Sequence, residues 1–108
     1  MPALTGADFD DKVSSEPLAL VDFWADWCSP CHAMKPALAE LARSRPDGVA
    51  VYAVDVVAEP GLAERFGVIS LPTVMLFRSG APVARSAGVK REAHLRRFVA
   101  QHAEDAAL

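Results

Sequence analysis

Residues 18–25 read Leu-Ala-Leu-Val-Asp-Phe-Trp-Ala, apolar at every position but one. A run that is apolar on both alternating sets of positions fits neither a half-exposed strand nor an amphipathic helix. It fits a strand covered on both faces, and such a strand requires helices packed above and below a sheet. The chain has the means to supply them. It is 52% hydrophobic over 108 residues, enough for one domain with a real core and too apolar for general disorder. A single domain over residues 1–108 is expected.

The remaining elements alternate around that strand. Thr5 and Asp8 form a capping box, with Leu4 and Phe9 in the hydrophobic-staple positions, so a first helix is expected from Thr5 to about Glu16, before Pro17. A second helix is expected from Cys28 to Arg43, with Met34, Leu38 and Leu41 inward and a kink at Pro36. Val49–Val54 reads as a second buried strand. Pro60 opens a short helix closed by Gly67. Thr73–Phe77 and Pro82–Ser86 read as strands joined by a turn at Arg78-Ser79-Gly80-Ala81. Leu95, Phe98, Val99 and His102 mark one face of a last helix. The pattern argues for an α/β fold, a mixed sheet between helices.

Several function classes fall away at this point. Eleven basic and fourteen acidic side chains give a net charge of -3, which offers no broad attraction for nucleic acid or an anionic membrane. No apolar stretch approaches the ~20 residues of a membrane span. The N-terminus lacks the basic start and apolar segment of a signal peptide, so cytoplasmic residence is expected.

Cys28 and Cys31 are the only cysteines, too few for a disulfide-stapled scaffold. They stand where the buried strand gives way to a helix start. Unpaired amides and the positive end of the helix dipole favour an anion there, lowering the pKa of Cys28. Cys31 lies one turn further in, close enough to close a disulfide. A thiolate at Cys28 can attack a substrate disulfide, and Cys31 can resolve the mixed disulfide. Pro30 is tolerated because first-turn amides have no intrahelical partner.

Other readings of the pair carry less weight. A zinc site would need His32, His94 or His102 from unsuited positions, since no second cysteine pair exists. Cys28-Ser29-Pro30-Cys31-His32 is formally the haem-attachment pattern C-x-x-C-H, but the strand-to-helix context argues against it. Two inert core cysteines fit poorly beside two tryptophans at a helix start. No metal or organic cofactor is expected. Asp22 is the other anomaly: if both strand faces are covered, its carboxyl is buried and its pKa raised. A proton exchanger for Cys31 is one role for such a group; a carboxylate satisfied by local donors is the bland one.

The segment Val21-Asp-Phe-Trp-Ala-Asp-Trp-Cys-Ser-Pro-Cys31 closely resembles the active-site segment of thioredoxins. The likeness continues through Pro36, Gly67-Val-Ile-Ser-Leu-Pro-Thr73, and Phe77-Arg-Ser-Gly80 to Gly88, covering essentially the whole chain. It implies a thioredoxin fold with four or five strands. The first strand would be short or absent, because only Met1-Pro-Ala-Leu4 precedes Thr5. It also implies a monomeric reductase of disulfides in client proteins, recharged by a thioredoxin reductase. A non-catalytic binding module or chaperone subunit, and a more oxidising oxidase or isomerase, are the alternatives.

Site roles follow residue by residue from the same resemblance. Asp22 matches the buried aspartate, and Pro72 the proline that is typically cis and faces the cysteines. Leu71 becomes a substrate contact. Trp27, Pro30, Leu71, Pro72, Gly88 and Val89 form an apolar docking patch, while Trp24 is read as core packing. Ser29 stands where thioredoxins usually carry glycine and His32 where lysine is frequent, so both are expected to tune the redox couple. The lysine that many thioredoxins hold near the aspartate aligns with Val51 here, so Asp22 is expected to have a higher pKa than in relatives that keep it.

Overall fold

The computed structural model describes residues 1–108. Four strands form one sheet: β1 (Leu18–Trp24), β2 (Ala50–Asp55), β3 (Thr73–Arg78) and β4 (Ala81–Ala87), in the order β2-β1-β3-β4. β1 pairs parallel with β2 and antiparallel with β3, and β3 pairs antiparallel with β4. The strand read as doubly covered is thus flanked by neighbours on both edges and buried at every position from Leu18 to Phe23.

Four helices cover the two faces. On one side α1 (Phe9–Ser14) and α3 (Pro60–Arg65) contribute Phe9, Val13 and Leu62 to a core that includes Val21, Phe23 and Phe77. On the other, α2 (Ser29–Ser44) and α4 (Glu92–His102) place Met34, Leu38, Leu41, Leu95, Phe98 and Val99 against Leu20, Val51, Val74 and Leu76. Each fully buried side chain of this size contributes about 1.5–3 kcal/mol. The last helix buries Leu95, Phe98 and Val99, as their spacing predicts; His102 is half-buried and pairs with Asp105, Nδ1 to Oδ2 2.5 Å.

The start of the chain differs in detail from expectation. The Asp8 carboxylate accepts from the Thr5 backbone N–H at 2.7 Å, which is one half of a capping box. Thr5 Oγ1 donates to that carboxylate instead of accepting from the helix. Residues 6–8 therefore form a turn, and α1 begins only at Phe9. Ahead of it, Leu4 N–H donates to the Ala53 carbonyl and Ala53 N–H to the Pro2 carbonyl, an isolated parallel bridge beyond β2. The first strand is reduced to that stub. α2 runs through Pro36 as one helix. Gly80 has φ +86, and a Cβ there would lie 2.9 Å from the Ser14 Cβ, so the β3–β4 turn accepts only glycine beside α1.

Candidate redox site

β1 ends at Trp24, and a tight turn closed by Cys28 N–H to the Ala25 carbonyl (3.1 Å) delivers the chain to α2. Cys28 is the N-cap of that helix, with extended φ −91 and ψ 100. Its Sγ accepts from the Cys31 N–H at 3.2 Å, the capping interaction that an Asp or Ser oxygen makes elsewhere. Cys28 and Cys31 are joined in a disulfide with Cα atoms 5.3 Å apart. Pro30 falls in the first turn, where its missing N–H costs nothing.

The two sulfurs are not equivalent. Cys31 is 0% exposed and Cys28 5%, so only Cys28 offers an approach from solvent. It also sits where the helix amides converge. Helix dipole and amide donors stabilise its thiolate once the bond is opened. The pair packs with Ala25 against Trp24, Val56 and Leu71.

Leu71 and Pro72 meet through a cis peptide bond, and the Pro72 carbonyl accepts from the Gly88 N–H at 2.8 Å. That hydrogen bond ties the loop after β4 to the loop before β3, and Gly88 has the positive φ, +91, that glycine adopts freely. Trp27 is 72% exposed, and Val89 is exposed beyond Gly88. An open apolar groove of about 300 Å³ runs from Trp27 and Leu71 past Val56 and Pro60 to Val68 and Ile69. Ile69 is 98% exposed and belongs to no expected site. Its signal was an apolar residue in a Gly-to-Pro loop with no helix or strand to bury it. Of the expected patch only Trp27 and Leu71 line this groove; Pro30, Pro72, Gly88 and Val89 do not.

Asp22 lies on β1 opposite Ala53 of β2 and Val74 of β3, on the α2 side of the sheet. It is buried, and neither carboxylate oxygen has a hydrogen-bond partner. Burial pushes its pKa from the ordinary carboxylate range up to about 7, partly opposed by the positive charge of Lys35. Val51, where the resemblance led us to look for a lysine, is core packing opposite Leu20. The cation comes instead from α2. Trp24, read as core, is half-buried, with Lys35 Nζ 4.0 Å from its ring centroid and the His32 ring edge-on to it. His32 Nε2 donates to the Asp26 carbonyl at 2.7 Å, so it is held on the Trp24 side. Ser29 is exposed in the first turn.

An accessible and a buried sulfur at a helix start can make and break a disulfide, and the strand that leads to them carries a buried acid. The known proteins that this chain is similar to carry the point further. The Thioredoxin family model matches residues 1–101. A thioredoxin of Mycolicibacterium smegmatis is 48% identical over 99 residues, covering 88% of each chain. A bifunctional thioredoxin reductase/thioredoxin of Mycobacterium leprae is 44% identical over 89 residues, which are 82% of this chain and 19% of that protein. A mutant thioredoxin from Halobacterium salinarum superposes with a TM-score of 0.88 at 32% identity, covering 97% of this chain and 92% of that one. With the fold, the cysteine pair and the sequence in agreement from end to end, the chain belongs to the thioredoxin family and is a thiol–disulfide oxidoreductase.

Proposed function

We propose that the chain reduces disulfides in client proteins, with Cys28 as nucleophile, Cys31 as resolving thiol and Asp22 as proton exchanger. The observation that carries the assignment of roles is the difference in access between the two sulfurs at the start of α2. The Cys28 thiolate attacks one client sulfur, forming a mixed disulfide and releasing the other as a thiolate. Cys31 gives its proton to Asp22 and attacks the Cys28 sulfur. The second client sulfur leaves, the Cys28–Cys31 disulfide remains, and two electrons have passed to the client. An acid titrating near neutrality is suited to that transfer.

The client lies along Trp27, Leu71 and Pro72, with Gly88 and Val89 at the edge of the face and Ser29, Pro30 and His32 around the sulfur. Leu71 offers backbone groups to an extended segment. A thioredoxin reductase returns the disulfide to the dithiol; the fused reductase in the leprosy relative supports such a partner. No helix is long and apolar enough to cross a membrane. A monomer working in the cytoplasm is part of the same proposal.

The test is reduction of a disulfide-containing protein such as insulin by the wild type, Cys28→Ser and Cys31→Ser. Cys28→Ser loses all turnover, and Cys31→Ser accumulates a mixed disulfide with the client. Turnover that persists without Cys28 overturns the assignment and leaves the apolar face as a binding module. Equilibration against glutathione separates a reductase from an oxidase or isomerase, since only the former is strongly reducing.

A further inference from the structure

Val51 leaves the β2 side of Asp22 without a charge, yet a cation reaches the acid from the helix layer. Lys35 is four residues after Cys31 on α2, so the two share one helix face. Lys35, Trp24 and Asp22 line a single cavity of about 180 Å³, walled elsewhere by Met1, Ala3 and Ala53. Within it the Asp22 oxygens have no partner, while Lys35 Nζ rests on the face of Trp24. Beside Asp22, β2 brings Ala53 and Val51 and β3 brings Val74 to this side of the sheet, Asp55 stands at the end of β2 opposite Trp24, and the N-terminal stub brings Met1 and Ala3. The titratable groups on this side are Lys35 and His32 of α2, the Met1 ammonium and Asp55, joined by Cys31 once the disulfide opens.

We propose that Lys35 is a positioning residue with two resting places, the Trp24 ring while Asp22 is protonated and the Asp22 carboxylate once that group is ionised. An ammonium over an aromatic face gains about 0.5–2 kcal/mol. An ionised carboxylate sharing the cavity attracts the same ammonium more strongly than an aromatic face does. The four-carbon stem lets the charge exchange one partner for the other without moving the helix. The amine thus follows the proton: when Asp22 takes the proton of Cys31, Lys35 returns to the ring. By favouring the ionised acid it keeps Asp22 available as a base near neutrality, and the opposing influence of Lys35 on the Asp22 pKa agrees in sign. The inference rests on the reading of Asp22 as the proton exchanger for Cys31.

The experiment uses the full oxidised chain with Lys35→Met and Lys35→Arg, their fold checked by circular dichroism. The Asp22 carboxyl carbon is followed by NMR across pH 5–9. Lys35→Met is expected to raise the Asp22 titration midpoint by about one pH unit, and Lys35→Arg to restore it. In a Trp27→Phe background, where Trp24 is the remaining tryptophan, its fluorescence is expected to change at the Asp22 midpoint with Lys35 present and to lose that step in Lys35→Met. An unmoved Asp22 midpoint in folded Lys35→Met overturns the proposal. So does a Trp24 step that persists without the amine. Reduction rates in Asp22→Asn report separately: an unaltered pH profile there removes Asp22 from the reaction, whereas the NMR midpoint still judges Lys35.

Discussion

The two faces of β1 are built from alternate residues of one seven-residue strand, and they serve opposite ends. On the α1/α3 side Val21 and Phe23 meet Phe9, Phe66 and Phe77, whose rings lie 5.1–5.6 Å apart in tilted and edge-to-face pairs. No charged group is buried among them, and the buried Thr73 opposite Phe23 is satisfied by the Ser70 carbonyl, 2.7 Å from its Oγ1. On the α2/α4 side Leu20 joins a large aliphatic cluster, but the next residue on that face, Asp22, brings an unpartnered acid to the edge of a cavity. The first face holds the fold. The second gives up part of that stability to keep an ionisable group in the strand that leads to the disulfide. The unpartnered acid occupies a single alternate position of the most buried strand, next to a face that can carry the energetic deficit.

That division can be broken experimentally, beginning with the aromatic face. Phe77→Ala removes a fully buried ring and is expected to cost about 3–5 kcal/mol of unfolding free energy by denaturant titration. The pH profile of the reaction should stay where it is, and a shifted profile would mean that the faces are not independent. The functional face should respond in the opposite direction. Asp22 binds its proton more tightly folded (pKa about 7) than unfolded (3.8), so between those values the native state holds more protons and stability falls as pH rises. The loss levels off above pH 7 and amounts to at most about 4 kcal/mol. Asp22→Asn should abolish this slope and match or exceed the wild type at pH 8, while slowing reduction. A wild-type stability that is flat from pH 4 to 7 would contradict the unpartnered acid.

The smallest effect sharpens the contrast between core and rim. Arg65 of α3 reaches Asp10 of α1 with two hydrogen bonds of 3.1 and 2.9 Å and lies over the Phe66 ring. Both charged groups are well exposed, so Arg65→Ala should cost no more than about 1 kcal/mol. A larger loss would show that the aromatic face depends on its outer clasp.

Most of the architecture was legible because it rests on local signals. The apolar run announced β1, Pro60 and Gly67 bracketed α3, and the cysteines sat where a helix had to start. The first helix was placed four residues early, because a capping-box pattern at Thr5 and Asp8 is equally satisfied by a turn. The groove beside Trp27 was legible in part, with Leu71 anticipated and Ile69 overlooked, since exposure of a loop residue depends on how two layers meet. Lys35 escaped for a related reason. Alignment directs attention to Val51 on a strand, whereas the cation enters from a helix packed across the sheet, and only the packing brings it to Asp22. Its spacing of four from Cys31 is visible in the sequence, but nothing there gives it a partner.

The capping of α2 by a cysteine has a further consequence. The atom that closes the helix end is also the atom that changes oxidation state. In the disulfide, Cys28 Sγ is a weak neutral acceptor for the Cys31 amide; as a thiolate it becomes a charged one, and charge-assisted hydrogen bonds are roughly twice as strong. Reduction therefore tightens the first turn of the helix even as it removes the covalent cross-link. Amide hydrogen exchange at Cys31 will record the oxidation state of the chain, with the backbone itself as the reporter.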